Sequence, residues 1–509
     1  MKRIIALLII LATLLTCSCN FLPGGGTETE SVGAAHEQHV DVDDNGVCDT
    51  CYTPVIVTID FYAINDLHGK FNNTALDEGV DEMTTFLKKT EDIDDYTVFL
   101  SSGDMWQGGS ESNLTEGRII TDWMNAVGFT SMTLGNHEYD WGEEPIIENE
   151  KIAEFPFLAI NIYDRDTNER VEYCSASVVV ERGGLQIGII GAMGDCYSSI
   201  APEQTEGVYF ITGSKLTELV KAESERLRAE GVDYIVYSLH DGYDRSKTGQ
   251  GYITDAQLSA YYDVELSRGG YVDLVFEGHS HASYALEDSY GVYHLQDGGD
   301  NQGISHVEVN INKANFNTRV TEAEFLSAVR YVTMEPDPIV EQLLEKYKDE
   351  IAEAARVVGY NAYSKNGQFI RSMVADAYLN KGIELWGDEY DIVLGGGFVS
   401  VRSPGYLVQG EVTYGMLQML LPFDNQLVLC SIKGSDLRRR FIESTNSNYC
   451  CSYDEGLPDA IQDDKTYYIV VDSFTSSYAP NRLTEVARLD EEIYARDLVA
   501  DFIAGGGLE

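Results

Sequence analysis

Residues 55–69 read VIVTIDFYAINDLHG, an apolar run that ends abruptly in polar side chains. The same pattern recurs four times along the chain: TVFLSS before GD, TSMTL before GNHEYD, DYIVYSL before HDG, and VDLVF before EGHSH. Helical-looking stretches lie between these runs. Apolar runs that alternate with helices indicate an α/β layered fold with a buried sheet. In such folds the carboxyl ends of the strands carry the functional site, so we expect the polar clusters to meet there.

The five polar clusters contain side chains suited to metal binding. They are Asp66 and His68 in D-x-H, Asp104 in G-D, Asn136, His137, Glu138 and Asp140 in G-N-H-E-Y-D, His240 after a strand, and His279 and His281 in G-H-x-H. A phosphoester hydrolase needs a strong nucleophile and neutralisation of charge on the phosphoryl oxygens. Two divalent cations roughly 3.5–4 Å apart supply both, with one bridging carboxylate and imidazoles completing the shells. Each cluster alone is weak evidence, but the ordered set of five is specific.

This ordered set resembles the calcineurin-like metallophosphatase superfamily and, within it, the 5′-nucleotidase family. The resemblance extends over about residues 55–509. It implies an α/β protein with a four-layer α/β/β/α metallophosphatase sandwich at 55–328, a linker helix at 329–355, and a C-terminal α/β substrate-binding domain at 356–509. The stretch MEPDPIVEQLLEKYKDEIAEAARVV supports the linker, because it has the pattern of a long amphipathic helix that begins after Pro338.

The resemblance also implies a role for each candidate residue. The resemblance implies one metal ion held by Asp66, His68 and His281. It implies a second ion held by Asn136, His240 and His279, and Asp104 is expected to bridge the two. His137 resembles a catalytic imidazole that stabilises the transition state or protonates the leaving oxygen, and Asp140 is expected to orient it. The nucleophile would be an activated water and not a side chain. The identity of the two ions is left open among Zn, Mn, Co and Mg.

Substrate binding is predicted for the C-terminal domain, where family members hold the base between two aromatic rings and the phosphates with arginines. LGGGFVSVR stands where nucleotidases typically show N-G-G-G-I-R, so Leu394 and Val399 replace an Asn and an Arg. We expect Arg402 to replace the missing arginine, with a surface salt bridge as the alternative role. LPFDN and VDSFTSSYAPNR provide candidate rings, for which core packing is the alternative. The predicted substrate-binding residues are Gly396, Gly397, Arg402, Phe423, Asn425, Phe474 and, as a close alternative to Phe474, Tyr478.

The expected substrate is a 5′-nucleoside monophosphate. A 2′,3′-cyclic nucleotide, a 3′-nucleotide and a nucleotide sugar are the alternatives, because the second-ring segment lacks the glycines and the aspartate of the family pattern. A competing function class is a non-catalytic surface lipoprotein that uses the fold to bind a ligand. Loss of metal ligands or of the His–Asp pair would favour that class, but all of these residues are present.

The N-terminus has the pattern of an export signal. Lys2 and Arg3 precede the apolar run Ile4–Leu15, which is too short to span a bilayer. The run ends in TCSC, which resembles a bacterial lipobox. We therefore expect a signal peptide at 1–19, lipidation of Cys19 (with Cys17 as the rival), and an enzyme anchored to the membrane on the cell surface. A plain secreted protein is the alternative.

Residues 20–54 are expected to form a tether, since NFLPGGGTETESVGAA cannot form a core. The tether ends in a possible tetrahedral zinc motif made of His36, His39, Cys48 and Cys51. Asp41, Asp43 and Asn45 resemble the start of a calcium loop, although the closing Glu is absent. An unstructured spacer is the alternative.

Charge and cysteine content exclude other classes. The chain has 84 acidic and 35 basic residues, a formal net charge of −49, so we expect no binding to DNA or RNA. The nine cysteines, seven of them beyond the predicted signal, are scattered and do not indicate a disulfide framework. An acidic protein can still bind an anionic nucleotide where metal ions dominate the local field. The sequence favours no particular oligomeric state.

Overall fold

A computed structural model describes residues 39–72, 79–90, 95–243, 250–402, 404–478, 481–489 and 493–508.

The first large sheet carries the start of the catalytic domain. Four parallel strands lie side by side in chain order: β1 (Ile56–Ile64), β2 (Thr97–Ser101), β3 (Ser131–Thr133) and β4 (Phe157–Leu158). Two antiparallel strands extend the β1 edge: β14 (Gly303–Asn312) and β15 (Thr318–Ser327).

The second large sheet packs face to face against the first. Its strands, in order across the sheet, are β10 (Gln250–Tyr252), β12 (Ser283–Glu287), β13 (Tyr293–Asp297), β11 (Leu274–Glu277), β9 (Tyr234–His240), β7 (Leu185–Met193) and β6 (Ser177–Arg182). Buried apolar side chains from both sheets fill the space between them, among them Phe61, Leu100, Ile189 and Val236. A short ribbon of β5 (Ile162–Asp164) and β8 (Val208–Phe210) lies outside the two sheets.

Helices cover the outer face of each sheet. Those of the catalytic domain are α1 (Asp81–Thr90), α2 (Ser110–Leu114), α3 (Arg118–Val127), α4 (Glu143–Ile152), α5 (Ser214–Ala229), α6 (Asp255–Leu258) and α7 (Glu265–Arg268), with 3₁₀ turns at Asn136–Tyr139, Asp195–Ser199, Pro202–Thr205 and Ala328–Arg330. Trp123 of α3 belongs to the core outside the first sheet, and Val220 of α5 to the core outside the second. The order helix, sheet, sheet, helix confirms the predicted four-layer α/β/β/α sandwich.

The linker differs from the predicted single helix. It consists of α8 (Pro338–Lys346), α9 (Lys348–Ile351) and a 3₁₀ turn at Ala352–Ala355. The start is as expected, because Pro338 occupies the first turn and Asp337 caps it by accepting the N–H of Ile339. The break falls at Tyr347, whose buried side chain donates a hydrogen bond to Asp122 of α3. Tyr347 makes this tertiary contact at the position where a single helix would otherwise continue.

The C-terminal domain is a separate α/β unit. Its five-stranded sheet has the order β22 (Tyr449–Tyr453), β18 (Ile392–Phe398), β23 (Thr466–Asp472), β21 (Leu427–Lys433) and β24 (Thr484–Arg488). Two small ribbons pair β16 (Val357–Asn361) with β20 (Gly410–Thr413), and β17 (Lys365–Asn366) with β19 (Tyr406–Leu407). The helices are α10 (Gly367–Trp386), α11 (Tyr414–Leu420), α12 (Gly434–Leu437), α13 (Leu457–Ala460), α14 (Ser473–Ser477) and α15 (Ala495–Ala504), with a π turn at Arg438–Ile442.

The N-terminal predictions fall partly outside these residues. Cys17, Cys19 and His36 lie in residues 1–38, which are outside the described part of the chain. Across the described ranges, no helix combines the length and apolarity that a membrane crossing requires. Residues 39–54 of the expected tether form a folded loop that packs against the turn between β14 and β15.

Candidate metal centre and substrate cavity

Five of the seven predicted ligands have an unusual backbone conformation. Asp66 and His68 follow β1, Asp104 follows β2, and His279 and His281 follow β11, with φ angles of 49°, 49°, 55°, 66° and 52°. Non-glycine residues rarely occupy this left-handed region, and they persist there only where the surroundings fix them. The concentration of such residues at three neighbouring strand ends marks this rim of the sandwich as a functional site.

Asp66, His68 and His281 form one compact group. Nε2 of His68 and Nε2 of His281 lie 3.0 Å apart, and Oδ1 of Asp66 lies 3.4 Å from Nε2 of His281. Nδ1 of His68 donates to the carbonyl of Gln107 at 2.9 Å, so its Nε2 is free to act as a ligand. Three side chains from two strand ends thus converge on one point, as the resemblance implies for the first metal.

The second group is built around Asp104. Its Oδ2 lies 3.2 Å from Nε2 of His240, and that nitrogen lies 3.2 Å from Oδ1 of Asn136. Nδ1 of His240 donates to the carbonyl of Ser102 at 2.6 Å, which again leaves Nε2 for a ligand. The His279 ring packs edge-on against His240, with centroids 5.7 Å apart. Asp104 and Asp66 share a cluster with His240, so Asp104 lies between the two groups.

The donor set fits divalent cations. Oδ1 of Asp66 is fully buried and accepts no hydrogen bond from the described residues, so in the centre of the cluster it contacts only imidazole nitrogens, those of His281 at 3.4 Å and His68 at 3.9 Å. Although burial works in the opposite direction, the Asp104 carboxylate raises the pKa of the His240 imidazole to about 10. The cluster therefore attracts positive charge. Imidazole and carboxylate ligands suit zinc- and manganese-type ions.

His137 lies beside this cluster without being part of either group. Its Nδ1 pairs with Oδ2 of Asp140 at 2.7 Å, and its backbone N–H donates to Oδ1 of Asp104 at 2.8 Å. Nη2 of Arg402, from the C-terminal domain, lies 3.2 Å from Nε2 of His137 and 3.4 Å from Nε2 of His68. The structure thus brings the predicted His–Asp pair and the predicted anion-binding arginine to the edge of the metal cluster.

Three neighbours of the centre were not assigned a role from the sequence. Glu138 is buried and accepts the backbone N–H groups of Asp104, Met105, Trp106 and Gly135, so it fixes the loop that carries Asp104. Asp297 accepts the N–H groups of Asn65 and Gly299 next to Asp66. Cys196 donates to the carbonyl of His240, and burial raises the pKa of its thiol well above the usual value. Among these three residues, only Glu138 belongs to a motif quoted from the sequence, G-N-H-E-Y-D.

A cavity opens from the centre onto the C-terminal domain. Four of the predicted substrate residues, Arg402, Phe423, Asn425 and Phe474, line it together with His137 and Asp140. The Phe423 ring lies 5.9 Å from the His137 ring, and the Arg402 guanidinium lies over it at 5.8 Å. Phe474 instead contacts Phe398, with ring centroids 5.6 Å apart. Phe398 also lines the cavity, and it was not among the residues predicted from the sequence.

Gly396, Gly397 and Tyr478 are not among the residues that line this cavity, so their substrate role stays a prediction. The two glycines lie inside β18, with φ of 131° and 141°. A Cβ at Gly396 would lie 2.2 Å from the carbonyl of Cys450, and one at Gly397 would lie 2.7 Å from Thr475, so both serve sheet packing. Tyr478 is 52% exposed and directly follows α14.

Comparison with known proteins agrees with this geometry. Residues 59–283 match the calcineurin-like phosphoesterase family. The catalytic domain is therefore similar to the calcineurin-like phosphoesterases. It is 26% identical over 421 residues to an apyrase of Tabanus yao, covering 74% of this chain and 72% of that protein. It is 29% identical over 230 residues to a 5′-nucleotidase of Vibrio cholerae, covering 44% and 40%.

The two-domain fold of this phosphoesterase is also that of a solved structure. The 5′-nucleotidase precursor from Thermus thermophilus superimposes with a TM-score of 0.65 at 18% identity, covering 88% of this chain and 96% of that one. At this identity the likeness establishes the fold alone. The family match over residues 59–283 and the curated relatives indicate a phosphoric ester hydrolase similar to the 5′-nucleotidases and disfavour a purely non-catalytic binding protein.

Proposed function

We propose that this phosphoesterase hydrolyses 5′-nucleoside monophosphates to nucleosides and phosphate outside the cytoplasm. The observation that carries the proposal is the approach of Arg402 and Phe423, from the second domain, to His137 at the edge of the metal cluster. A cationic group and an aromatic ring there match the two ends of a nucleotide, phosphate and base. The nucleotidase and apyrase relatives support the same substrate class.

The chain's own residues account for the chemistry around the phosphate. Two divalent cations, held by the two ligand groups with Asp104 between them, would supply an activated nucleophile and neutralise charge on the phosphoryl oxygens. Asp140 accepts the Nδ1 proton of His137, so a second proton, on Nε2 of the imidazolium, would be the one given to the leaving oxygen in the cavity. Arg402 reaches the same point and can hold phosphate oxygens through its planar guanidinium.

The base is expected to bind against Phe423. Phe423 lines the cavity and has Arg402 over its ring. Phe398 and Phe474 contact each other on the same cavity wall and provide the second aromatic surface. Stacking between a base and aromatic rings is tolerant of base identity. We therefore expect purine and pyrimidine nucleotides to be hydrolysed at comparable rates.

A phosphate-release panel tests the proposal. The mature chain would be assayed with Mn²⁺, Zn²⁺, Co²⁺ or Mg²⁺ on 5′-, 3′- and 2′,3′-cyclic nucleotides, a nucleotide sugar and p-nitrophenyl phosphate. The highest kcat/KM is expected for 5′-monophosphates. A higher kcat/KM for a cyclic nucleotide or a nucleotide sugar would mean that this compound, and not a 5′-monophosphate, is the substrate. No hydrolysis of any compound would refute the proposal. An Asp104→Ala preparation controls for contaminating phosphatases.

Cell-surface anchoring is a second part of the proposal. It is supported by Lys2 and Arg3, the short apolar run, and Cys19 in TCSC, all outside the described residues. Mass spectrometry of the mature N-terminus from the native host should show an acylated Cys19, or an acylated Cys17. An unmodified and freely soluble mature form would contradict anchoring without affecting the enzymatic proposal.

A further inference from the structure

The folded loop of residues 39–54 has very little apolar material to hold it together. Its buried cluster consists of Cys48, Cys51 and Val55, with Ala314 of the neighbouring hairpin packed against it. Cys48 is 0% exposed and Cys51 is 4% exposed. A segment this short cannot stabilise one conformation through so small a core, and folded segments of this kind depend on a disulfide, a metal ion or a docking surface.

Docking accounts for one side of the loop. The Asn312 side-chain amide donates to the carboxylates of Asp41 and Asp44, both at 2.8 Å. Asn315 donates to the Asp41 carbonyl and to Asp44. These bonds hold residues 41–44 on the turn between β14 and β15, but they leave the two buried thiols unexplained.

The thiols lie beside an imidazole at the spacing of a metal site. Nδ1 of His39 is 3.5 Å from Sγ of Cys51, and the ligand atoms of His39, Cys48 and Cys51 all lie within 4.8 Å of one another. A tetrahedral ion with Zn–S of about 2.3 Å and Zn–N of about 2.0–2.1 Å places sulfur and nitrogen roughly 3.5 Å apart. Neither cysteine forms a disulfide within the described part of the chain.

Backbone groups also favour sulfur as a ligand here. The N–H of Val40 points at Sγ of Cys48 at 3.5 Å. A backbone donor of this kind stabilises the charge of a metal-bound sulfur. The calcium alternative is disfavoured, because the two Asp41 oxygens already accept the N–H groups of Asn45 and Gly46 as well as the Asn312 amide.

We propose that His39, Cys48 and Cys51 bind one zinc-class ion, which fastens the loop to the catalytic domain. Thiolate and imidazole ligands select zinc over the hard ions that oxygen ligands prefer. The three side chains leave a fourth tetrahedral position for water or another donor. The site is structural and separate from the catalytic centre: β1, nine residues long, lies between the loop and Asp66. At about 3.3 Å per residue, that strand separates them by roughly 30 Å.

Cobalt substitution tests this proposal independently of catalysis. The predicted catalytic ligands are nitrogen and oxygen atoms, but the Cys196 thiol lies near His240 and His279. The part of the thiolate-to-cobalt absorption band of the Co²⁺-loaded mature chain that depends on Cys48 and Cys51 would therefore report the loop. We expect this part of the band and about one metal equivalent to be lost in the Cys48→Ala/Cys51→Ala double variant, with kcat/KM changed less than twofold. Cys450→Ala, which removes a half-buried thiol of the C-terminal domain, is the matched control and should keep both.

A second measurement needs no variant. In the wild-type zinc-loaded chain, Cys48 and Cys51 should resist alkylation until a chelator is added, and chelation should open residues 39–54 to proteolysis. A Cys48–Cys51 disulfide in the purified protein, or a cobalt band that persists undiminished in the double variant, would overturn the proposal. Equal alkylation with and without chelator would overturn it as well. None of these outcomes bears on nucleotide hydrolysis, so the two proposals fail separately.

Discussion

The rim of the catalytic sandwich and the cavity wall of the C-terminal domain form opposite sides of one site, but they differ in how closely they keep to the family pattern. At the rim, every expected ligand type is present, and five of the seven ligands adopt the left-handed backbone conformation. At the wall, Leu394 and Val399 replace an Asn and an Arg, and both are buried in the core. We therefore expect the rim to determine the hydrolytic chemistry and the wall to determine the choice of substrate.

The largest effect is expected at the rim, from Asp104→Ala. Asp104 lies between the two ligand groups and also accepts the backbone N–H of His137, so its loss disturbs both metals and the catalytic imidazole. Metal ions contribute several kcal/mol of charge stabilisation, so we expect kcat/KM to fall roughly 10³-fold or more. Phosphate release and elemental analysis measure the two effects. A variant that keeps both ions and a tenth of the activity would contradict the bridging role.

His137→Ala should have the next largest effect and separates chemistry from metal binding. Loss of a general acid commonly costs 10²–10⁴-fold in rate. The loss should be large for a nucleoside alkoxide and smaller for p-nitrophenolate, which needs little protonation. Metal content should stay unchanged, and Asp140→Asn should give a smaller loss in the same direction, because it only orients the ring. If His137→Ala removes a metal or slows both substrates equally, the general-acid role is wrong.

Arg402→Ala tests whether the wall reaches the chemistry. A hydrogen bond to a charged group contributes about 1.5–3 kcal/mol, so kcat/KM for nucleotides should fall about 10- to 150-fold. Arg488→Ala is the matched control. Arg488 also joins the two domains, through Glu203 at 3.4 Å, but the Arg488 side chain itself does not line the cavity. That variant should change kcat/KM less than threefold. Equal losses in both variants would mean that Arg402 acts only through domain contact.

Phe423→Ala should affect only substrates that carry a base. Base–aromatic stacking contributes about 1–3 kcal/mol, so KM for nucleotides should rise about 5- to 150-fold while hydrolysis of ribose 5-phosphate stays the same. Tyr478→Ala serves as the control, because the exposed Tyr478 is not among the cavity-lining residues. A Tyr478 effect as large as that of Phe423 would show that Tyr478 also contacts the base.

The same contrast explains what could be predicted from the sequence. The four-layer fold and the rim were predictable, because residue types suited to metals follow successive apolar runs in a specific order. The packing role of Gly396 and the exposure of Tyr478 were not, since they depend on strand pairing and loop direction where the family pattern is lost. Glu138 was visible in G-N-H-E-Y-D, but its role was not, because residues that accept backbone N–H groups have no characteristic spacing. The linker break at Tyr347 depends on a tertiary contact with Asp122.

The smallest effect concerns stability at the cavity wall. Asp472 is buried, lines the cavity and caps α14 by accepting the N–H of Thr475. Burial raises its pKa to about 6, above the value of about 3.9 expected in the unfolded chain. The folded protein therefore binds this proton more tightly than the unfolded chain. Stability consequently falls as the pH rises from about 4 to about 6, and it stays lower at higher pH.

Asp472→Asn keeps a capping acceptor and removes the buried charge. We expect the free energy of unfolding to increase by about 1–3 kcal/mol at pH 8, and the gain to shrink as the pH is lowered to 5. Thermal unfolding at both pH values, with the same metal present, measures this difference. Asp337→Asn is the matched control, because Asp337 caps α8 but pairs with Lys88 at 3.0 Å, so its loss should destabilise the protein slightly at pH 8. Destabilisation of the Asp472 variant at pH 8 would instead show that its carboxylate is compensated in the folded state, and the wall would then be as well adapted to its charges as the rim.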